Sequence, residues 1–124
     1  MRLRLILATV WFAIAATALA QEKTLTAAEA KQHVGATATV CGKVMSARYA
    51  SSSRGQPTFL NLDKAYPKQE FTVLIWGSER EKFGKPEVSY RDKNICVTGQ
   101  IRKYQAGTEI IATDPKQIRI ESTK

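Results

Sequence analysis

The chain has 124 residues, two cysteines and one histidine, with 19 Lys and Arg set against 11 Asp and Glu. That length leaves room for one domain and not two. The net charge of +8 disfavours basic surfaces as targets and favours polyanions such as nucleic acid, phosphorylated glycans or anionic lipid headgroups, although a charge of magnitude ~2–8 also serves solubility alone.

The first 20 residues read as an export signal. Arg2 and Arg4 form a positive start, an apolar stretch runs from Leu5 to Ala16, and Ala18-Leu19-Ala20 has the small-x-small pattern of a cleavage site. The stretch is shorter than the roughly 20 residues of a membrane span, and no cysteine follows it for lipid attachment. The expectation is a periplasmic or secreted product beginning at Gln21, not inserted in a membrane. Residues 21–124 then form its single domain, with 17 Lys and Arg against 11 acids, a charge of +6.

Thr26-Ala27-Ala28-Glu29 is a capping-box pattern and predicts a short helix from Ala27 to His33, ended by Gly35. His33 falls in its last turn, where a helix-end role outweighs that of ligand or base. From Ala36 the period becomes two, predicting a first strand to Tyr49. Residues 50–56 are a polar loop. Pro57 opens a second strand through Asp63, and a turn follows at Tyr66-Pro67-Lys68. The third strand is Glu70 to Trp76, stopped by Gly77. Ser78 to Phe83 carries a serine cap, early acids and a late lysine, and predicts a second short helix. A fourth strand runs from Asn94 to Tyr104. The turn Gln105-Ala106-Gly107 leads to a fifth, Thr108 to Thr113, and Ile118 and Ile120 mark a last extended piece.

Three strands, a helix and two more strands in about 100 residues predict an all-β fold: a five-stranded Greek-key barrel of the oligonucleotide/oligosaccharide-binding (OB) type. A β-sandwich would want about seven strands. Val40-Cys41-Gly42-Lys43-Val44 and Val97-Thr98-Gly99-Gln100-Ile101 echo each other, and Gly42 and Gly99 read as barrel-bend positions. Alternation turns Val40, Val44, Val97 and Ile101 inward and puts Cys41 and Cys96 together on the opposite face. A disulfide between them is expected. It would close a loop of 56 residues, counted from Cys41 to Cys96, contributing up to ~4 kcal/mol. Two cysteines and His33 do not complete a zinc site, so no metal is implied.

The run from Gly35 to Asp114 resembles small exported bacterial proteins of the nucleic-acid-type OB superfamily. The matching pieces are Ala30-Lys31-Gln32-His33-Val34-Gly35, Val40 to Val44, Gly55 through Asp63, and Phe71 to Trp76. The aromatic-apolar-polar-apolar-x-Asp pattern of the second strand is also similar to the anticodon-binding domains of aspartyl-type tRNA synthetases. In that family the strand-two aromatic stacks on a base, and the resemblance carries this role to Phe59.

An OB barrel binds across its second and third strands, flanked by the loop after strand one and the hairpin between strands four and five. With Leu60 and Leu62 inward, Phe59 and Asn61 face out, a platform beside an edge-reading amide. A helix or loop covering Phe59 is the competing reading. Trp76 is a second candidate platform or a packing residue at its strand end. Arg102, Lys103 and Tyr104 at the hairpin, and Arg48, Tyr49 and Arg54 at the first loop, supply cations near aromatics. No cofactor and no catalytic set is implied. The cysteines are expected to be paired, a single histidine completes no Ser-His-Asp triad, and no acidic cluster of the secreted OB nucleases is present. The tail Glu121-Ser122-Thr123-Lys124 also lacks the histidine and tyrosine that resemblance to an OB-fold haem chaperone would require. Two readings stay open: a binding module for single-stranded nucleic acid or another polyanion, or an envelope or stress-associated protein whose partner is a protein or small ligand.

Overall fold

The computed structural model describes residues 8–11, 13 and 24–122; Arg2, Arg4, the Ala18–Ala20 motif, Gln21 and the last two residues lie outside them. The described chain runs β1 (Thr24–Thr26), a 3-10 turn (Glu29–Gln32), β2 (Thr37–Tyr49), β3 (Thr58–Leu62), β4 (Phe71–Ile75), α1 (Gly77–Arg80) with a 3-10 turn (Glu81–Phe83), α2 (Pro86–Ser89), β5 (Asn94–Gln100), β6 (Arg102–Tyr104), β7 (Gly107–Ile111), a 3-10 turn (Pro115–Gln117) and β8 (Ile118–Glu121). Among these residues no helix is long and apolar enough to cross a membrane.

The all-β expectation holds, but the strand count is corrected from five to eight. The sheet order is β6-β7-β4-β3-β2-β5-β8, with β1 added alongside β2. The expected fourth strand is broken at Ile101, whose amide donates to Ala36 O and whose carbonyl accepts from Gly35 N. The first helix shrinks to a 3-10 turn, though its capping box is present: the Glu29 amide donates to Thr26 Oγ1 and the Thr26 amide to Glu29 Oε1. The second, Ser78 to Phe83, becomes the four-residue α1 and the 3-10 turn Glu81–Phe83, and α2 follows it as an element the sequence reading did not place.

The thirteen-residue β2 is shared by both halves of the sheet. Residues 37–43 pair antiparallel with β5, and 44–49 with β3. The register slips between Val44 and Ser46, a β-bulge that inserts one residue and reverses the side-chain phase beyond it. Val40 and Val44 are fully buried ahead of the slip, and Ala47 is the next buried residue after it. Neighbouring backbone holds the bulge from two sides. The Asp63 amide donates to Lys43 O and the Lys43 amide to Asp63 Oδ1, while the Val44 amide donates to Lys93 O and the Asp92 amide to Val44 O. Gly42 belongs to this lock rather than to a barrel bend, since a Cβ there would lie 2.7 Å from Asp63 Oδ1.

The core is filled by the inward row Ala47, Leu60, Val73 and Ile110, by Leu62, Phe71 and Ile75, and by Val40, Val97 and Ile101 from the other half. Strands β5 and β7 share no ladder, yet they come together at Gly99, where a Cβ would lie 2.6 Å from Ile110 Cγ2. On the opposite face of the β2–β5 ladder Cys41 and Cys96 are direct register partners and are joined by a disulfide. Thr39 and Thr98 share a hydrogen bond of 2.8 Å two residues along. The bridge lies across a ladder already formed, so its contribution comes from restricting the unfolded chain. Replacing both Cys41 and Cys96 by alanine is expected to lower unfolding stability by about 2–4 kcal/mol. Urea denaturation with the parent protein under oxidising and reducing conditions checks this.

Candidate nucleic-acid interface

Because the strands lie in register, the outward residues of β2, β3, β4, β7 and β6 form transverse rows. One row is Ser46, Asn61, Thr72, Glu109 and Arg102. The next is Arg48, Phe59, Leu74 and Ile111. The first is polar and the second mostly apolar, about two residues, or ~7 Å, apart along the strands.

The polar row contains a closed hydrogen-bond relay. Asn61 is 4% exposed, so both ends of its amide need partners. Its Nδ2 donates to Ser46 Oγ at 2.9 Å, and its Oδ1 accepts from Thr72 Oγ1 at 2.9 Å. The Tyr66 backbone amide also donates to Ser46 Oγ, at 3.1 Å. This corrects the expectation of an exposed, edge-reading Asn61. The residue stitches three strands, and its partner Ser46 ties down the β3–β4 loop.

Above this floor lies a cleft of about 300 Å³. Arg48 and the half-buried Phe59 come from the strands, Tyr66 and Gln69 from the β3–β4 loop, and Tyr104 and Gln105 from the β6–β7 turn. Three aromatic rings and one guanidinium line it, and no carboxylate does. Gln69 Oε1 is buried without a hydrogen-bond partner. A smaller cleft adjoins at Gln69, Thr72, Tyr104 and Gln105.

The structure therefore brings together Arg48, Phe59, Asn61 and Tyr104 of the sequence candidates. It sends the others elsewhere. Tyr49, on the opposite parity from Arg48, has the Arg80 guanidinium 3.7 Å above its ring, and Arg80 in turn bonds Glu87 at 2.6 Å. Trp76 lies at the loop end of the same strand face, 39% exposed, but its ring packs on the β2–β3 loop, where a Cβ on Gly55 would come within 2.8 Å of it. Arg54 is exposed in that loop. Arg102 and Lys103 pair with Glu109 and Thr108 in the edge ladder, outside the cleft lining. Sequence reasoning missed Ser46, Tyr66, Gln69, Thr72 and Gln105. Phase prediction hid Ser46, and the turn at Tyr66-Pro67 was legible only as a turn. Among the described residues no group of three or more His, Cys, Asp or Glu side chains could hold a metal.

Glu109 is the one carboxylate in the polar row. It is 5% exposed, and Oε2 has no hydrogen-bond partner. Burial raises its pKa above the ordinary 4.5, partly opposed by Arg102. The folded chain thus holds this proton more tightly than the unfolded chain. Its stability contribution is greatest below the ordinary carboxylate value and is lost as pH rises through the folded value. Glu109→Gln is expected to gain stability relative to the parent progressively across that interval and to keep the advantage at neutral pH. Paired urea titrations from pH 4 to 8 read the difference.

No protein-family model matches the chain, and no curated protein matches it by sequence. Solved structures do resemble it. A protein assigned as an aspartyl-tRNA synthetase from Leishmania major Friedlin matches 86% of this chain with 22% of its own, at 12% identity and a TM-score of 0.56. An aspartyl tRNA synthetase from Entamoeba histolytica matches 80% with 21% of its own, at 21% identity and a TM-score of 0.50. The OBody AM1L10, solved bound to hen egg-white lysozyme, matches 83% with 97% of its own, at 18% identity and a TM-score of 0.57. The chain spans about a fifth of each synthetase. At these identities the likeness is one of fold, and the fold is OB-like.

Proposed function

We propose that this protein is an exported, non-enzymatic OB-fold module that binds single-stranded nucleic acid, or a polyanion of similar make-up, across the β2–β3–β4 face. The observation that carries the reading is the cleft: three aromatic rings and Arg48 surround a carboxylate-free space on that face. Bases stack on aromatic platforms at ~1–3 kcal/mol each, and a cation beside the platform meets the phosphate. The charge of +6 over residues 21–124 favours approach of a polyanion at long range. Similarity in fold to parts of two aspartyl-tRNA synthetases is consistent with such a ligand. A periplasmic or secreted location is supported by the leader-like start and by a disulfide that suits an oxidising compartment.

A second reading, an envelope protein that engages another protein on the same face, is favoured by one observation. The lysozyme-bound OBody shares this fold over nearly its whole length, and Tyr66, Trp76 and Tyr104 are exposed aromatics suited to a protein contact.

Titration of the purified protein with labelled mixed-sequence single-stranded DNA and RNA across a salt series separates the two. The nucleic-acid reading expects log affinity to fall linearly with log salt. It also expects Phe59→Ala to weaken binding roughly ten- to a hundredfold while leaving the slope unchanged. No binding at low salt overturns it.

A further inference from the structure

The outward face carries another opening, at its loop end and apart from the cleft. It is a shallow recess of about 410 Å³ lined by Gly55, Gln56, Trp76, Gly77 and Ser78. The Trp76 backbone is still extended, so its side chain keeps the outward parity of Thr72 and Leu74. The six-membered ring of its indole rests on the bare backbone of Gly55. That loop is itself closed by bonds from the Ala50 amide to Pro57 O, from Gln56 Nε2 to Ser51 O and from the Gly77 amide to Gly55 O. The packing fixes the indole without covering it, since Trp76 remains 39% exposed. Phe59 is the register partner of Leu74, which makes Trp76, two residues further along β4, its diagonal neighbour at ~7–8 Å. Each of the two aromatics has a cation on its flank. Arg48 is the β2 partner of Phe59, and the exposed Arg54 immediately precedes Gly55 in the loop under Trp76. Neither opening is lined by a carboxylate. A ring with a cation beside it is thus repeated once along the face.

We infer that the recess at Trp76 is a second subsite for the ligand of the cleft, so that the protein holds an extended, unstacked single strand with one base at Phe59 and the next at Trp76. This deepens the nucleic-acid reading of the same face and rests on it. A single strand repeats one base and one phosphate, and the face repeats one ring and one cation. Stacked bases follow each other at roughly 3.4 Å. Two rings fixed at about twice that spacing accept neighbouring bases only from a strand whose own stacking is undone. Between the two rings the floor is Leu74, apolar and 3% exposed although it faces outward, so the interval offers no polar group to hold a base midway. The cleft's volume of about 300 Å³ is at the small end of ligand sites, matching one unit of the strand and leaving the next for the recess. A monomer fills one subsite, and a duplex, with its bases stacked and paired, cannot serve both.

The test uses the full chain carrying Trp11→Phe, which leaves Trp76 as its only tryptophan, and thymidylate oligomers from monomer to hexamer at low salt. Affinity is expected to rise roughly ten- to a hundredfold between the monomer and the shortest oligomers, the worth of one further stack, and then to level off. Bound oligomer is expected to shield the Trp76 emission from acrylamide, and a duplex of the same length is not. Trp76→Leu is expected to remove most of the gain with length, and Trp76→Phe, which keeps a ring there, to restore part of it. The shielding is read on the native Trp76 and so does not depend on how either variant folds. Oligomers that bind while Trp76 stays as open to acrylamide as in the free protein overturn the inference and leave the polyanion reading standing. So does an affinity that does not rise beyond the monomer, or a duplex that shields Trp76 equally. If no oligomer binds at low salt, the polyanion reading falls and the second subsite falls with it.

Discussion

The face described above depends on one extra residue in β2. Strict alternation from Val44 would send Ser46 and Arg48 into the core and leave Ala47 outside. An arginine there would be buried without a carboxylate to meet it, at a cost no small domain can carry. The bulge at Met45 reverses the phase, so that Ala47 closes the core and Ser46 and Arg48 join Asn61 and Phe59 on the outer face. The bulge is held on one edge by Asp63 and on the other by Asp92 and Lys93, and Arg91 Nη2 adds a bond to Ala47 O at 2.7 Å just beyond it. Both turns use left-handed backbone, at Asp63 and Asp92, where the short acidic side chain tolerates positive φ better than most.

Once Ser46 faces outward, the rest of the floor is built by satisfaction of polar groups. Asn61 sits near the middle of a five-residue strand where an unpartnered amide would be strongly destabilising. Its two bonds to Ser46 and Thr72 tie β2, β3 and β4 together side chain to side chain, in addition to their backbone ladders. The same hydroxyl that anchors Asn61 anchors the loop carrying Tyr66. The row grows less satisfied toward the sheet edge: the relay joins Ser46, Asn61 and Thr72, whereas Glu109 Oε2 is buried without a hydrogen-bond partner. A rigid, satisfied floor beneath a rim of exposed turn residues is the arrangement expected of a site that is preorganised for ligand orientation.

The strands were legible wherever two-residue alternation continued undisturbed between turn residues. β3, β4 and β7 appear within a residue or two of their expected limits, and the Cys41–Cys96 pairing followed from parity plus adjacency. Legibility failed where a local rule was interrupted without a local signal. Nothing in Val44-Met45-Ser46-Ala47 announces a bulge, because its cause lies in Asp63 and Lys93, far along the chain. Ile101 looks like the middle of a β-rich run, yet it bonds to Gly35 and Ala36 and divides β5 from β6. Tyr49 counts in the sequence as an aromatic among loop cations, and parity turns it off the face; of the two roles open to Trp76, platform or packing residue, the bare surface of Gly55 draws its ring into packing. The outward parity of Phe59 was legible because its strand is short, regular and carries the inward Leu60 and Leu62.

Charge and the cleft are largely separated in this molecule. Four cations are held in ion pairs outside the cleft lining: Lys64 is paired with Glu70, Arg80 with Glu87, Lys82 with Glu79 and Arg119 with Glu121. Within the cleft lining only Arg48 carries charge, and the remaining polar groups are neutral hydroxyls and amides. The net field acts over a Debye length and raises the encounter rate for any polyanion without regard to sequence. The neutral floor acts only at contact, through hydrogen bonds whose direction is set by the Ser46–Asn61–Thr72 relay. On the proposed reading, salt weakens the long-range attraction of a polyanion and leaves contacts with the neutral floor nearly untouched. That separation follows from flooring the cleft with uncharged groups locked to three strands.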